Sequence, residues 1–154
     1  MVELNGTELT IEQVMAVARH KEQVRISEPA KQKIDRARAY VDEKLAQKAV
    51  IYGLTTGFGK FSDTFVPEQE TAALQRNLII SHACGMGAPL PREVVRGAML
   101  LRCNALARGN SGIRLSTLET LLAMLNRGVH PVVPEKGSLG ASGDLAPLSH
   151  IVLV

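Results

Sequence analysis

The chain has 154 residues, of which 45% are hydrophobic and 21% charged, and its formal net charge is +3. This length allows one globular domain with a modest hydrophobic core. Basic residues are interspersed with acidic ones and only 3% of the residues are aromatic. The chain therefore lacks the basic stripe and the stacking rings of a nucleic-acid-binding protein, and its apolar runs are too short to span a membrane.

Cysteine and histidine usage argues against a disulfide-linked or metal-binding protein. Cys84 and Cys103 do not form a CxxC pair, and His82 with Cys84 makes a lone H-x-C without a second pair of ligands. The opening residues 1–5 lack the charged and apolar regions of a secretory signal. We therefore expect a cytoplasmic protein with free thiols and no metal ion.

The start of the chain predicts a short β-ribbon followed by a helix. Asn5-Gly6 is a hairpin-turn dipeptide, and it lies between the short stretches Val2–Leu4 and Glu8-Leu9. The spacing of Thr10-Ile11-Glu12-Gln13 is that of a capping box, which predicts a helix start.

Helix signals dominate the rest of the chain. Ser27 and Pro29 predict the cap and first turn of a long helix. Other helices are predicted over about 67–82, from 91 to 109, from a second capping box at Ser116–Glu119 to Gly128, and from Asp144 onward. The run Ile151–Val154 is apolar and carries no helix-ending signal. The sequence predicts a mainly α fold, with residues 1–154 as a single domain truncated at its C-terminal end.

A Gly-rich loop follows the short apolar stretch Val50-Ile51-Tyr52. Gly59-Lys60 gives it a partial likeness to a phosphate-binding loop, but Leu54 stands where the first required glycine would be and Phe61 follows the lysine. A phosphate-binding role is therefore rejected. By itself, Tyr52 is read as a half-buried tyrosine at a strand end.

Two further segments contain polar residues among small ones. Ser81-His82 near the end of a predicted helix, followed by Gly85, is typical of a helix C-terminus. Ala141-Ser142-Gly143 lies in a run of small residues that is compatible with an ordinary loop or helix entry. The same tripeptide also permits backbone chemistry, because the unhindered amide of Gly143 can approach the Ala141 carbonyl. Ring closure with loss of water, and loss of a second water from Ser142, would leave an electrophilic methylene.

The fourteen residues Gly-Ser-Leu-Gly-Ala-Ser-Gly-Asp-Leu-Ala-Pro-Leu-Ser-His at 137–150 resemble the signature of the histidine and aromatic amino-acid ammonia-lyases. The segments 52–59, 77–87 and 101–114 also resemble this family, so the resemblance covers nearly the whole chain. Asn110 departs from the family pattern in the last of these segments, which we assign to the scaffold.

The resemblance implies a fold, a prosthetic group and residue roles. The fold is the N-terminal helical part of an aromatic amino-acid lyase, with a short β-ribbon near its start. Ala141-Ser142-Gly143 would cyclise without help to 4-methylidene-imidazole-5-one (MIO), and no metal or organic cofactor would be needed. Tyr52 would be the base that removes the β-proton, Gly59 would line the substrate pocket, and His82 would bind the substrate side chain.

The resemblance also implies a reaction and partners. Ser81-His82 favours L-histidine as substrate, which would be converted to trans-urocanate and ammonia in histidine degradation. A tyrosine or phenylalanine ammonia-lyase, or an aminomutase of the same family, remains an alternative. Family lyases are much longer than this chain and form homotetramers. A further alternative is therefore that residues 1–154 alone are inactive and serve only in folding or assembly.

Overall fold

The computed structural model of this chain describes residues 1–57, 59–62, 66–140 and 143–154. The described chain is mainly helical, as predicted, and its strands form two two-stranded sheets. The helices are α1 (Ile11–Ala18), α2 (Glu28–Ala46), α3 (Glu68–His82), α4 (Arg92–Ala107), α5 (Leu115–Arg127) and α6 (Leu145–Val152). The strands are β1 (Val2–Leu4), β2 (Val24–Ile26), β3 (Met86–Pro89) and β4 (Pro134–Lys136). None of the helices within the described ranges is long and apolar enough to cross a membrane.

The chain divides into two compact units. The first comprises Met1–Val41 and Pro89–Val133, and the second comprises Asp42–Ala88 and Pro134–Val154. Two such units can belong to one domain or to two, so the predicted single domain, truncated at its C-terminal end, stays a prediction. All the residues predicted to form the site belong to the second unit.

A short ribbon is present near the start, but its second strand is not the predicted one. β1 pairs with β2 in parallel, with Val2 opposite Val24. The Asn5 side-chain oxygen accepts hydrogen bonds from the amides of Thr7 at 2.9 Å and Glu8 at 3.0 Å. These amides are used in a local turn, so Glu8-Leu9 does not extend a hairpin from Asn5-Gly6.

The core of the first unit lies where α4 packs against α1 and α5. Its fully buried side chains include Val17, Met99, Leu100, Cys103, Leu118 and Leu125. Burial raises the pKa of the Cys103 thiol to about 12. Because the thiolate is the reactive form of cysteine, Cys103 is a packing residue without nucleophilic chemistry.

One arginine is buried in this core. Arg96 is only 2% exposed. Its guanidinium donates to the carbonyl oxygens of Val17 at 2.7 Å, Ala18 at 3.1 Å and Leu125 at 2.8 Å. These carbonyls belong to the last turns of α1 and α5, where the helix dipole places partial negative charge. The arginine therefore binds the C-terminal ends of two helices at once.

Of the three side-chain caps that the sequence predicts, two are confirmed and one is wrong. The Thr10 and Gln13 side chains form the capping box of α1, with bonds of 3.3 Å and 3.0 Å. Ser27 accepts from the Ala30 amide at 3.3 Å and caps α2. By contrast, α5 has Arg114 at its N-cap position and no side-chain cap bond. Ser116 lies inside the first turn of that helix, so its hydroxyl does not occupy the capping position.

Candidate active site

The loop that carries the predicted base is held by two buried threonines. Thr55 donates its hydroxyl to the Ala49 carbonyl at 2.6 Å and accepts from the Ile51 amide at 2.8 Å. The Thr56 hydroxyl accepts from the Gly53 amide at 3.2 Å, and this residue is 1% exposed. Side chains thus satisfy the backbone of a segment that has no regular secondary structure, which fixes the loop conformation.

Tyr52 extends from this loop, and its side chain contacts another predicted site residue. Tyr52 is 62% exposed. Its phenol oxygen accepts a hydrogen bond from the Gly59 amide at 3.4 Å, a long distance for such a bond. The contact brings together the predicted base and the glycine predicted to line the substrate pocket. Phe58, between the two, lies outside the described residues.

His82 is the last residue of α3, and its ring is oriented by its own helix. Nδ1 lies 2.8 Å from the Leu78 carbonyl oxygen and 3.1 Å from the Ser81 hydroxyl. Because a carbonyl oxygen only accepts, Nδ1 carries the proton. In the neutral ring Nε2 is therefore left as a hydrogen-bond acceptor. The pair ends a helix and presents an oriented imidazole, and the role of His82 in substrate binding stays a prediction.

The predicted electrophile lies in the loop between β4 and α6. Ala141 and Ser142 are outside the described residues, but both of their neighbours are described. A Cβ atom added to Gly140 would lie 2.5 Å from the Gly143 carbonyl oxygen, so these two glycines lie close together. Gly143 has a φ of 153°, which L-residues with side chains rarely adopt. Glycine is therefore favoured at position 140 by the close contact with Gly143, and at position 143 by its backbone angle.

Three structural links connect α3 and the segment after it with the elements on either side of the tripeptide. β3 pairs with β4, which precedes the loop, and α3 packs against α6, which follows it. The Gly85 amide donates to Nε2 of His150 at 2.9 Å. This role of His150 could not be predicted from the sequence, because no local pattern connects residues that are 65 positions apart. Among the described residues no group of three His, Cys, Asp or Glu side chains could hold a metal ion.

The family model of the aromatic amino acid lyases matches residues 9–154. The chain belongs to this family. It is 60% identical over 151 residues to the histidine ammonia-lyase of Alkaliphilus oremlandii (strain OhILAs), a match that covers 98% of this chain and 30% of that protein.

Two solved structures match the fold of this chain over nearly its whole length. The ergothioneine-degrading enzyme ergothionase from Treponema denticola matches with a TM-score of 0.92 at 37% identity, covering 97% of this chain and 30% of that one. Histidine ammonia-lyase from Trypanosoma cruzi matches with a TM-score of 0.88 at 40% identity, covering 99% of this chain and 28% of that one. The chain thus spans about 30% of the length of the curated relatives that it matches.

Proposed function

We propose that residues 1–154 are the N-terminal part of a histidine ammonia-lyase, which converts L-histidine to trans-urocanate and ammonia. The observation that carries this proposal is the match to histidine ammonia-lyases at 60% identity over nearly the whole chain. The oriented ring of His82 supports the choice of substrate. Because its Nδ1 donates to Leu78, Nε2 is free to accept a hydrogen bond from an N–H of the substrate imidazole.

A polar partner of this kind selects for histidine over amino acids with apolar rings. An imidazole buried without a partner costs about 1–3 kcal/mol. That difference corresponds to roughly ten- to a hundredfold in kcat/KM. Phenylalanine would leave Nε2 of His82 unpaired in turn, so the same contact disfavours the competitor.

The reaction needs both an electrophile and a base, because the β-proton of histidine is not acidic and ammonium leaves reluctantly. Ala141-Ser142-Gly143 would form MIO, whose electrophilic carbon would make the amino group a better leaving group. We assign removal of the β-proton to the phenol oxygen of Tyr52. The Gly59 amide donates a hydrogen bond to that oxygen, and we assign Gly59 to the lining of the substrate pocket. The electron pair of the broken C–H bond becomes the double bond of urocanate. The amino group leaves with the electron pair of the C–N bond.

The remaining elements of the proposal rest on family membership. The complete enzyme acts in the cytoplasm as a homotetramer, and residues 1–154 alone are inactive. The direct test is urocanate formation from L-histidine by the full-length enzyme that carries residues 1–154, followed by ultraviolet absorbance. L-Tyrosine, L-phenylalanine and ergothioneine serve as comparison substrates. Turnover of tyrosine or phenylalanine with a higher kcat/KM than histidine would refute the assignment and favour the alternative lyase or aminomutase.

A further inference from the structure

His150 makes a specific hydrogen bond to the backbone beside the substrate-binding segment. The Gly85 amide lies three residues after His82 and donates to His150 Nε2 at 2.9 Å. An amide only donates, so Nε2 must accept, and in the neutral ring the proton is on Nδ1. Leucine would fill similar space in α6 but would leave the partly buried amide without this acceptor.

The packing around Gly85 leaves little space on either side. A Cβ atom at Gly85 would lie 2.8 Å from His150 Nε2 and 3.0 Å from the Pro134 ring. A Cβ atom at Gly137 would lie 3.0 Å from the Gly85 Cα and 3.1 Å from the Cys84 carbonyl oxygen. The backbone at 84–85 is therefore in close contact with the strand and loop before the tripeptide and with the helix after it.

We propose that His150 is a positioning residue, which fixes His82 relative to the two elements that flank Ala141-Ser142-Gly143. The segment that follows His82 is held at two places. Its end, Met86–Pro89, pairs with β4. The His150 bond holds Gly85, which lies between that strand and His82. This inference rests on the proposed function, in which His82 binds the substrate and the tripeptide supplies the electrophile. Its new content is that a side chain of α6, through its bond to the Gly85 amide, sets the placement of His82.

The test compares three substitutions at position 150 in the full-length enzyme. His150→Leu removes the acceptor. In His150→Gln the side-chain oxygen lies about as far from the main chain as Nε2 of histidine, so it can still accept from the Gly85 amide. In His150→Asn the side chain is one methylene shorter, and its oxygen does not reach that amide. A misplacement of about 1 Å can lower a rate about a hundredfold. We therefore expect kcat/KM for histidine to fall about 10- to 100-fold in the Leu and Asn variants, and less than about threefold in the Gln variant. If the Leu variant does not fold, the difference in kcat/KM between the Asn and Gln variants decides the test.

A double-substitution cycle separates positioning from general support of the fold. If His150 acts through His82, adding His150→Asn to His82→Leu should lower kcat/KM no more than about threefold further. The intact mass should still show the loss of two waters in every variant. Independent, multiplicative losses in the cycle would overturn the proposal, and so would an unchanged kcat/KM in His150→Asn.

Hydrogen exchange tests the bond independently of the substrate. Exchange at Gly85 should accelerate in His150→Asn and stay near that of the wild type in His150→Gln. If the wild type converts a different amino acid, the proposed function fails. The cycle is then run with that amino acid, and its outcome still decides the positioning role. Equal exchange at Gly85 in all variants would refute the hydrogen bond itself.

Discussion

Replacement of Arg96 by methionine should destabilise the first unit strongly. Methionine keeps much of the aliphatic volume, so cavity formation is a minor effect. The change leaves the buried carbonyl oxygens of Val17 and Ala18 without a donor, whereas the Leu125 carbonyl keeps the Gly128 amide at 3.3 Å. Each unpaired buried group costs about 1–3 kcal/mol, and the positive charge at the ends of two helices is also lost. We expect the free energy of unfolding to fall by about 3–5 kcal/mol, similar to the loss on breaking a buried charge pair.

The measurement is urea unfolding of residues 1–154, followed by circular dichroism, with Arg19→Met as the matched control. Arg19 is also an arginine of the first unit, but its side chain is 52% exposed and it pairs with Glu93 at 2.9 Å. Loss of an exposed ion pair should cost less than about 1 kcal/mol. Equal losses of unfolding free energy in the two variants, or a loss below 1 kcal/mol for Arg96→Met, would show that the buried guanidinium does not stabilise the ends of α1 and α5.

Four further predictions concern the site and the pH response. Ser142→Ala should abolish turnover in the full-length enzyme, because alanine has no hydroxyl to lose; turnover at the wild-type kcat would contradict the assigned electrophile. Tyr52→Phe should lower kcat by about 10²–10⁴ with substrate binding retained, whereas a near-normal kcat would remove Tyr52 from its role as base. His82→Leu should lower kcat/KM for histidine more than for phenylalanine, and an unchanged value for histidine would contradict the substrate assignment. Burial, together with neighbouring arginine and lysine charges, lowers the pKa of His130 from its ordinary 6.5. Its contribution to folding stability is therefore complete above pH 6.5 and decreases as the pH falls through the lowered pKa. His130→Asn should flatten that part of a stability profile, and an unchanged profile would contradict the shift.

Helix positions could be predicted from the sequence where the signal is local. Thr10 and Gln13 are close in sequence and contact each other in the folded chain, so the capping box identifies the start of α1. Gly128 adopts the left-handed conformation at the end of α5 for the same local reason. The parallel pairing of β1 with β2 could not be found in this way, because it joins strands separated by a helix. Asn5-Gly6 predicted a hairpin there, and the Asn5 side chain instead satisfies a turn.

The candidate site shows the same division between local and distant information. The contact of Tyr52 with Gly59 spans few residues, and the family pattern placed both in one loop. The bond between Gly85 and His150 depends on how α3 and α6 pack, and composition alone presents His150 as one of four scattered histidines. Residues that act by supporting others therefore emerge only when the packing of the chain is known.

The mass of the peptide that contains residues 137–144, isolated from the full-length enzyme, shows directly whether Ala141-Ser142-Gly143 has cyclised to MIO. Cyclisation of Ala141-Ser142-Gly143 removes two waters, so the peptide should be about 36 Da lighter than its sequence mass. The Ser142→Ala enzyme provides the control, because it cannot lose the second water. Recovery of the wild-type peptide at its full sequence mass, from enzyme that is turning over histidine, would contradict the formation of the electrophile from this tripeptide.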